Sequence, residues 1–217
     1  IKIIDSLGFI SCSSNGLEIV NVANPDSVEQ ISVIDSVDFV FDAWIEDTIA
    51  YLADDDDGMR IWNIADLMNP VSIGTYDLGT NLQNVTVRDT VAYLSYYSSG
   101  LVAVNVADPA SPSLLDVGIA NDRIFNVCVQ GNYAYAADDN AGMTVYNVND
   151  PSSITTISNY ETANPIDKIA LQDSLLFANQ SSGGFRVYSI RDPQSPYMLA
   201  DVNDAGNIRN MTPDGDY

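Results

Sequence analysis

A glycine recurs every 42 residues along this chain, and each time it begins the same kind of segment. The repeated glycines are Gly16, Gly58, Gly100, Gly142 and Gly184. They are followed by the alternating apolar runs LEIVNV, MRIWNI, LVAVNV, MTVYNV and FRVYSI. A constant period of this length indicates a repeat architecture, in which every copy folds into an equivalent unit and neighbouring units bury each other's apolar faces.

Each copy is predicted to form four short strands. The glycine-led run is the third strand, and the second contains an aromatic residue that keeps the same step, at Phe9, Tyr51, Tyr93, Tyr135 and Phe177. The first strand reads AWIED, VTVRD, VCVQG or IALQD, and the fourth is a stretch such as SLLDVG. The strands are rich in β-branched and aromatic residues, and turn-forming Gly, Asn, Asp and Pro separate them.

Four strands in about 40 to 45 residues is the size of a β-propeller blade. The sequence therefore predicts an all-β fold, a β-propeller of 42-residue blades with five full repeats and the start of a sixth. We expect residues 1–217 to form a single propeller domain or a fragment of one. Residues 1–5 align with the end of a first strand, and residues 208–217 begin the sixth copy. This overlap does not close neatly as a five-bladed ring, so we expect further blades in a longer parent chain or a strand exchanged between subunits.

The turn after the third strand ends at a proline in four copies, namely Pro25, Pro109, Pro151 and Pro193. The second copy reaches Pro70 only through ADLMNP, which we interpret as a three-residue insertion. An insertion at this point indicates a surface loop.

The segments VTVRDTVAYLSY and GLVAVNVADPASPSLLDVG together resemble the repeat of the LVIVD family of β-propeller proteins. Units of that family combine an aromatic AY strand, a Gly-led L-x-I-x-D-V strand and an NP turn. The resemblance covers essentially the whole chain and implies a propeller that is often secreted or surface-attached, without a common chemistry. The family's aspartate is replaced here by Asn21, Asn63, Asn105, Asn147 and Ser189.

Charge and composition exclude several classes of function. The chain has 30 acidic and 8 basic residues, a net charge of -22 and no histidine. The charge argues against nucleic acid and against an anionic membrane surface as partners. Without histidine, Ser-His-Asp and Cys-His catalysis and His-ligated metals are excluded. Cys12 and Cys128 occupy different repeat positions, so we expect free thiols, and no apolar run is long enough to insert into a membrane.

The turn before the second repeat glycine is the candidate metal site. It contains four consecutive carboxylates, Asp54, Asp55, Asp56 and Asp57. Calcium prefers several oxygen ligands of this kind and is the one cofactor we consider. The alternative is a solvated hairpin loop in which Asp favours the turn geometry. Consecutive residues of an extended chain point to opposite sides, so all four carboxylates cannot converge on one ion.

A second candidate site is a polar ring at the mouth of the axial channel. The repeat step places it at Asp42, Asn84, Asn126, Lys168 and Asn210. These side chains could bind a cation or a small polar ligand, or they could satisfy backbone groups at the strand ends, which is the interpretation we favour. Asn84, Asn179 and Asn210 also begin N-x-S/T sequons, and Asn179, near a loop, is expected to be the most accessible.

Together these features predict a non-catalytic β-propeller scaffold, extracellular or on the cell surface, that mediates protein–protein interaction, including self-assembly into an oligomer or filament. A calcium-dependent binding or adhesion module is the first alternative. A glycoside hydrolase is less favoured, because its carboxylates should flank the substrate, whereas Asp42 and Glu46 lie on one inner strand.

Overall fold

The computed structural model describes residues 1–35, 37–79, 81–162, 164–181 and 184–202. Secondary structure over these ranges consists of strands and turns, without a helix. Within the same ranges there is no helix long and apolar enough to cross a membrane.

The strands form antiparallel sheets of four, each in chain order. The first sheet contains β1 (Lys2–Ile4), β2 (Leu7–Ser11), β3 (Leu17–Asn21) and β4 (Glu29–Ile34). The second contains β5 (Val40–Glu46), β6 (Ile49–Asp54), β7 (Gly58–Asn63) and β8 (Val71–Tyr76). The third contains β9 (Leu82–Arg88), β10 (Val91–Tyr96), β11 (Gly100–Asn105) and β12 (Ser113–Gly118). The fourth contains β13 (Asn126–Gln130), β14 (Tyr133–Ala137), β15 (Met143–Asn147) and β16 (Thr155–Tyr160). The fifth contains β17 (Ile166–Gln172), β18 (Leu175–Gln180), β19 (Phe185–Ser189) and β20 (Tyr197–Val202).

Each sheet is thus one copy of the sequence repeat, folded as a four-stranded propeller blade. The predicted fold class, a β-propeller of four-stranded blades, is confirmed. Contacts divide the chain into two compact units, Ile1–Ala92 with Val104–Leu114 and Tyr93–Ala103 with Leu115–Tyr217. In the first unit β5 contacts β9, and in the second β13 contacts β17, so the first strands of successive sheets lie side by side.

Two constraints require glycine at the repeat positions, namely a left-handed backbone conformation and the lack of room for a side chain. All have a positive φ, between 73° and 92°, which disfavours any residue with a side chain. A Cβ added at Gly58 would lie 2.5 Å from the carbonyl oxygen of Tyr76, and one at Gly142 would lie 2.4 Å from that of Tyr160. The end of the fourth strand therefore lies directly against the glycine that begins the third.

The apolar core lies between neighbouring sheets. In the first unit it includes Phe9 and Ile19 from the first sheet and Val40 and Leu52 from the second. In the second unit Tyr135, Met143, Ile169 and Leu176 belong to a corresponding cluster between the fourth and fifth sheets. The aromatic column is buried at Phe9, Tyr51, Tyr93 and Tyr135 and half-buried at Phe177. One sheet cannot cover both of its faces, so stacking of equivalent sheets supplies the core.

The insertion inferred for the second copy is wrong. Asn63 pairs with Val71 in the same register in which Asn147 pairs with Thr155, so the two turns have equal length. Leu67 occupies the place of the first proline in the other copies. Because the backbone hydrogen bond from Asn69 N–H to Asp66 C=O closes the turn without that proline, the motif changes while its geometry does not.

Candidate functional site

The first aspartate of the acidic turn, Asp54, is fully buried at the end of β6. Its Oδ1 accepts hydrogen bonds from the backbone N–H groups of Asp38, at 2.9 Å, and Phe39, at 2.8 Å. Arg60 Nε lies 3.5 Å from its other oxygen. The carboxylate therefore holds the loop that enters β5, because one of its oxygens accepts from two successive backbone donors of that loop.

Burial raises the pKa of the Asp54 carboxyl above its usual 3.8, although the two backbone donors and Arg60 oppose the rise. A group whose pKa is raised on folding stabilises the folded state below its unfolded pKa, and that contribution is lost as pH rises through the folded pKa. The free energy of unfolding of the wild type, measured relative to Asp54→Asn, should therefore increase as pH falls from neutral toward about 4.

Urea unfolding at stepped pH values, followed by tryptophan fluorescence, measures this difference. Asp56→Asn is the matched control, because it removes one carboxylate from the same turn at an exposed position. A difference between wild type and Asp54→Asn that stays constant with pH, or that shrinks on acidification, would contradict the prediction.

Asp138 has the same role two repeats later. It is fully buried, and its oxygens accept from the backbone N–H groups of Asn121, at 3.0 Å, and Asp122, at 2.8 Å. The hydroxyl of Thr144 donates to it at 2.7 Å. In the fifth sheet Gln180 stands at the equivalent position and accepts from the Asn164 amide at 2.7 Å. A polar side chain at this repeat position thus holds the loop that enters its own sheet.

The second aspartate of each pair joins successive sheets through its backbone. Asp55 and Asp139 have positive φ values of 32° and 39°. Their carbonyl oxygens accept from Leu82 N–H, at 2.9 Å, and Ile166 N–H, at 3.2 Å, at the start of the next sheet's first strand. Aspartate tolerates this left-handed conformation better than most residues do, which explains its recurrence.

The four consecutive carboxylates are therefore not brought together. Asp54 is directed inward, Asp55 accepts from the Asn81 amide at 2.6 Å, Asp57 pairs with Arg60, and Asp56 is exposed. No group of three or more His, Cys, Asp or Glu side chains that could hold a metal ion occurs within the described ranges. Calcium binding at this turn stays a prediction from the sequence.

The polar ring residues bridge the first strands of neighbouring sheets. Asp42 accepts from the Asn84 amide at 2.6 Å, and Asn126 Oδ1 accepts from Ile169 N–H at 2.9 Å. These contacts support the interpretation that the ring satisfies strand-end groups. Lys168 is half-buried. Its ammonium group can only donate hydrogen bonds, so it cannot accept from a backbone N–H of the neighbouring strand as Asn126 does. Asn210 lies outside the described residues.

Asp42 and Glu46, the two carboxylates considered for glycoside hydrolysis, lie in different environments. Asp42 is half-buried and is engaged by Asn84 of the next sheet, whereas Glu46 is exposed at the far end of β5.

The asparagines that replace the family's aspartate form the same side-chain-to-backbone hydrogen bond that an aspartate would form in this turn. Their Oδ1 atoms accept the backbone N–H two residues later, as in Asn21 to Ala23 and Asn147 to Asn149, both at 2.9 Å. Either side chain offers this acceptor, so the substitution leaves the turn geometry unchanged.

The second unit contains a groove that the sequence did not predict. A cavity of about 470 Å³ between the fourth and fifth sheets is lined by Tyr133, Tyr135, Asp173 and Arg191, among others. Burial, with a smaller contribution from Tyr133, raises the pKa of Tyr135 to about 12. The sequence feature that could have indicated this groove is a departure from the repeat at two of its lining residues. Tyr133 replaces the aliphatic residues of the other copies, and Arg191 replaces alanine or asparagine.

The expectation that Asn179 is the most accessible sequon is wrong. Asn179 is only 2% exposed, and its amide donates to Asp167 Oδ1 at 2.7 Å. Asn84 is buried as well. An N-x-S/T pattern does not report which face of a strand its asparagine occupies, and both residues lie on strands that pack against a neighbouring sheet.

A family model for the LVIVD repeat matches residues 79–117 and 124–162, which are the third and fourth copies. These two copies are LVIVD repeats. The other copies are related to the two matched ones by the constant glycine step, and the resemblance noted from the sequence is confirmed. Among curated proteins, none matches this LVIVD-repeat chain.

Solved structures similar to the LVIVD-repeat chain support the fold. A functionally unknown protein from Desulfotomaculum acetoxidans DSM 771 has a TM-score of 0.77 and 14% identity, with 94% of this chain and 68% of that chain covered. A protein from Lactobacillus plantarum has a TM-score of 0.76 and 11% identity, covering 94% and 67%. The computationally designed Ika8 protein has a TM-score of 0.73 and 8% identity, covering 95% and 62%. The chain thus spans about two thirds or less of their lengths, and the likeness concerns fold alone.

Proposed function

We propose that this LVIVD-repeat chain is a non-catalytic β-propeller scaffold that binds protein partners outside the cell or at its surface. One observation carries the proposal. The outer strand of the fifth sheet presents apolar side chains to solvent, with Tyr197, Met198, Leu199 and Val202 exposed by 54%, 46%, 52% and 38%. We call residues 197–202 the β20 surface.

The β20 surface differs from the outer strands of the other sheets at Leu199, Ala200 and Val202, whereas the residues equivalent to Tyr197 and Met198 are exposed in those sheets as well. The residue equivalent to Leu199 is half-buried in the other four sheets, as Ile31, Ile73, Leu115 and Ile157. In those sheets the neighbouring sheet shields the strand from water. An apolar group that is normally covered, and is here exposed, marks a place where another surface gains free energy by binding.

The backbone of β20 adds a second means of binding. β20 is last in the order of its sheet, so its outer edge lies beyond the ladder of the described strands. Such an edge can pair with a strand or loop of a partner through main-chain hydrogen bonds. Side-chain burial and strand pairing would act on the same short segment.

The roles of the polar residues support a non-catalytic scaffold. The acidic pairs at Asp54 and Asp138 and the ring residues Asp42 and Asn126 are each engaged in joining loops or sheets. Location outside the cell is supported by the acidic composition, with 30 acidic and 8 basic residues, and by the resemblance to families that are often secreted.

Site-specific photo-crosslinking in the cells that produce the protein tests the proposal. A benzophenone amino acid replacing Tyr197 should yield a protein adduct of defined mass after irradiation. The same amino acid replacing Met68 is the matched control, because Met68 is apolar and 72% exposed but lies on a turn of the second sheet. Adducts at position 197 that are no stronger than those at position 68 would overturn the proposal.

A further inference from the structure

We call the cavity of about 470 Å³ between the fourth and fifth sheets the Tyr133 groove. Tyr133 and Tyr135 of β14 line it from the fourth sheet, and residues of the fifth sheet line its other side. The two sides are held together, because Ser158 Oγ of the fourth sheet donates to the carbonyl of Pro193 at 2.9 Å, and Pro193 is one of the lining residues. A cavity of this volume is large enough for a small organic molecule.

The apolar part of the groove belongs to the core and to its edge. Tyr135 is 2% and Ile190 5% exposed, and both are members of the apolar cluster between these sheets. Tyr133 is half-buried and packs against that cluster. Because burial raises the pKa of Tyr135 to about 12, its hydroxyl is uncharged at neutral pH. A ligand with an apolar body would gain free energy by replacing water at these side chains.

Two opposite charges line the same groove without pairing with each other. Arg191 and Asp173 are both exposed, and no ion pair joins Arg191 to a carboxylate among the described residues. Its Nε donates only to Ser174 Oγ, at 3.5 Å. In the described part of the chain, each of the other arginines pairs with an aspartate, namely Arg60, Arg88, Arg123 and Arg186. The guanidinium of Arg191 is therefore available to an anionic group of a ligand.

The two charges are close together on the lining of the groove. Asp173 directly precedes Ser174, the residue that accepts from Arg191, and consecutive Cα atoms are about 3.8 Å apart. An α-amino acid carries its carboxylate and its ammonium group on a single carbon atom. One small ligand of this kind can therefore meet both charges, whereas the end of a peptide offers only one of them.

The groove also contains the two departures from the repeat, one on each side. The position of Tyr133 is occupied elsewhere by Leu7, Ile49, Val91 and Leu175. The position of Arg191 is occupied elsewhere by Ala23, Ala65, Ala107 and Asn149. The other copies form the same four-stranded sheets with these residues, so the sheet itself requires neither the tyrosine nor the arginine.

We propose that the Tyr133 groove binds a free α-amino acid with an apolar side chain. Arg191 binds the carboxylate through paired N–H donors, and Asp173 binds the ammonium group. The side chain of the ligand packs against Tyr133 and Ile190. An anion with several charges is disfavoured, because the protein carries a net charge of -22. This site is separate from the β20 surface and does not depend on the proposed binding of proteins.

Isothermal titration calorimetry of the full chain with matched probes tests the inference. Phenylalanine carries both charges and an apolar body, 3-phenylpropionate lacks the ammonium group, phenethylamine lacks the carboxylate, and glycine lacks the apolar body. We expect phenylalanine to bind about tenfold or more tightly than each of the other three, because each of them loses one of the three contacts.

Variants that carry a residue tolerated at the same repeat position assign the contacts. Arg191→Ala introduces the alanine of the first three copies and should weaken phenylalanine binding about tenfold or more. Tyr133→Leu should weaken the binding of phenylalanine but not of glycine. Asp173→Asn retains a residue suited to the φ of 51° and should weaken the binding of phenylalanine but not of 3-phenylpropionate. Arg88→Ala is the control, because it removes an arginine that lies outside the groove and pairs with Asp89.

The inference is wrong if neither phenylalanine nor leucine binds at millimolar concentration. It is also wrong if phenylalanine binding survives Arg191→Ala, or if 3-phenylpropionate binds the wild type as tightly as phenylalanine does. The probes are compared on the wild type, so this last result counts even where a variant fails to fold, and melting temperatures report whether it has folded. Crosslinking at position 197 tests the binding of proteins independently, so the failure of one proposal leaves the other standing.

Discussion

Gly142→Ala is expected to lower the free energy of unfolding by about 3 kcal/mol, among the largest effects of any single methyl group in this chain. Two costs add together. The residue has a φ of 85°, and left-handed backbone costs an alanine about 1–2 kcal/mol. The new Cβ would also lie 2.4 Å from the carbonyl oxygen of Tyr160 and 2.8 Å from the nitrogen of Thr162, so the fourth strand must move.

Gly131 separates the two costs. Its φ is also positive, at 57°, but a Cβ there meets no atom within 4 Å. Gly131→Ala should therefore cost only the conformational part, about 1 kcal/mol. Gly131→Asp should cost less still, because Asp5, Asp47, Asp89 and Asp173 occupy the equivalent turn with φ between 51° and 54°.

Urea unfolding of the three variants measures these differences. For a chain of this length, 3 kcal/mol corresponds to a fall in melting temperature of about 6–12 °C. Equal losses for Gly142→Ala and Gly131→Ala would contradict the argument that close approach of the fourth strand selects the repeat glycine.

Asp138→Ala is the second large effect, with an expected loss of about 3 kcal/mol in the free energy of unfolding. The carboxylate is fully buried and accepts from two backbone N–H groups and one hydroxyl. Removing it leaves the N–H groups of Asn121 and Asp122 and the fully buried hydroxyl of Thr144 without this acceptor, and an unsatisfied buried donor costs about 1–3 kcal/mol. The loop that enters the fourth sheet should loosen as a result.

Asp138→Asn should lose less, because the amide retains one acceptor oxygen for the loop. Asp122→Ala is the control for loss of charge, since Asp122 lies in the same loop with a partly exposed side chain that accepts from the Asn140 amide. Hydrogen exchange of the loop, measured with urea unfolding, reports both effects. A loss from Asp122→Ala as large as that from Asp138→Ala would show that charge, rather than the buried hydrogen bonds, is the cause.

The acidic turn shows where reasoning from sequence reached its limit. Four adjacent aspartates predicted oxygen ligands, and the alternation rule already predicted that they would diverge. The partners of Asp54 lie 15 and 16 residues away, at Phe39 and Asp38, and Leu82 lies 27 residues beyond Asp55. No local pattern names such partners, because they are set by the approach of one sheet to another.

The predicted insertion in the second copy and the predicted exposure of Asn179 are both wrong for a related reason, because each was inferred from local sequence. Proline marks this turn in four copies, but backbone hydrogen bonds define its geometry, and Leu67 takes the place of the proline in the second copy. Asn179 was placed near a loop from its position in the chain, whereas the side on which its strand packs determines its exposure.

The repeat, the four strands of each copy, the glycine at each close approach and the aromatic column all follow from the amino-acid sequence alone. These features depend on backbone conformation and on alternation within one copy, which local residue types specify five times over. What each polar side chain contacts follows only from tertiary packing. These contacts depend on the approach of one copy to the next, and equivalent positions such as Ile157, which is half-buried, and Leu199, which is exposed, can differ in exposure although both carry an aliphatic residue of an outer strand.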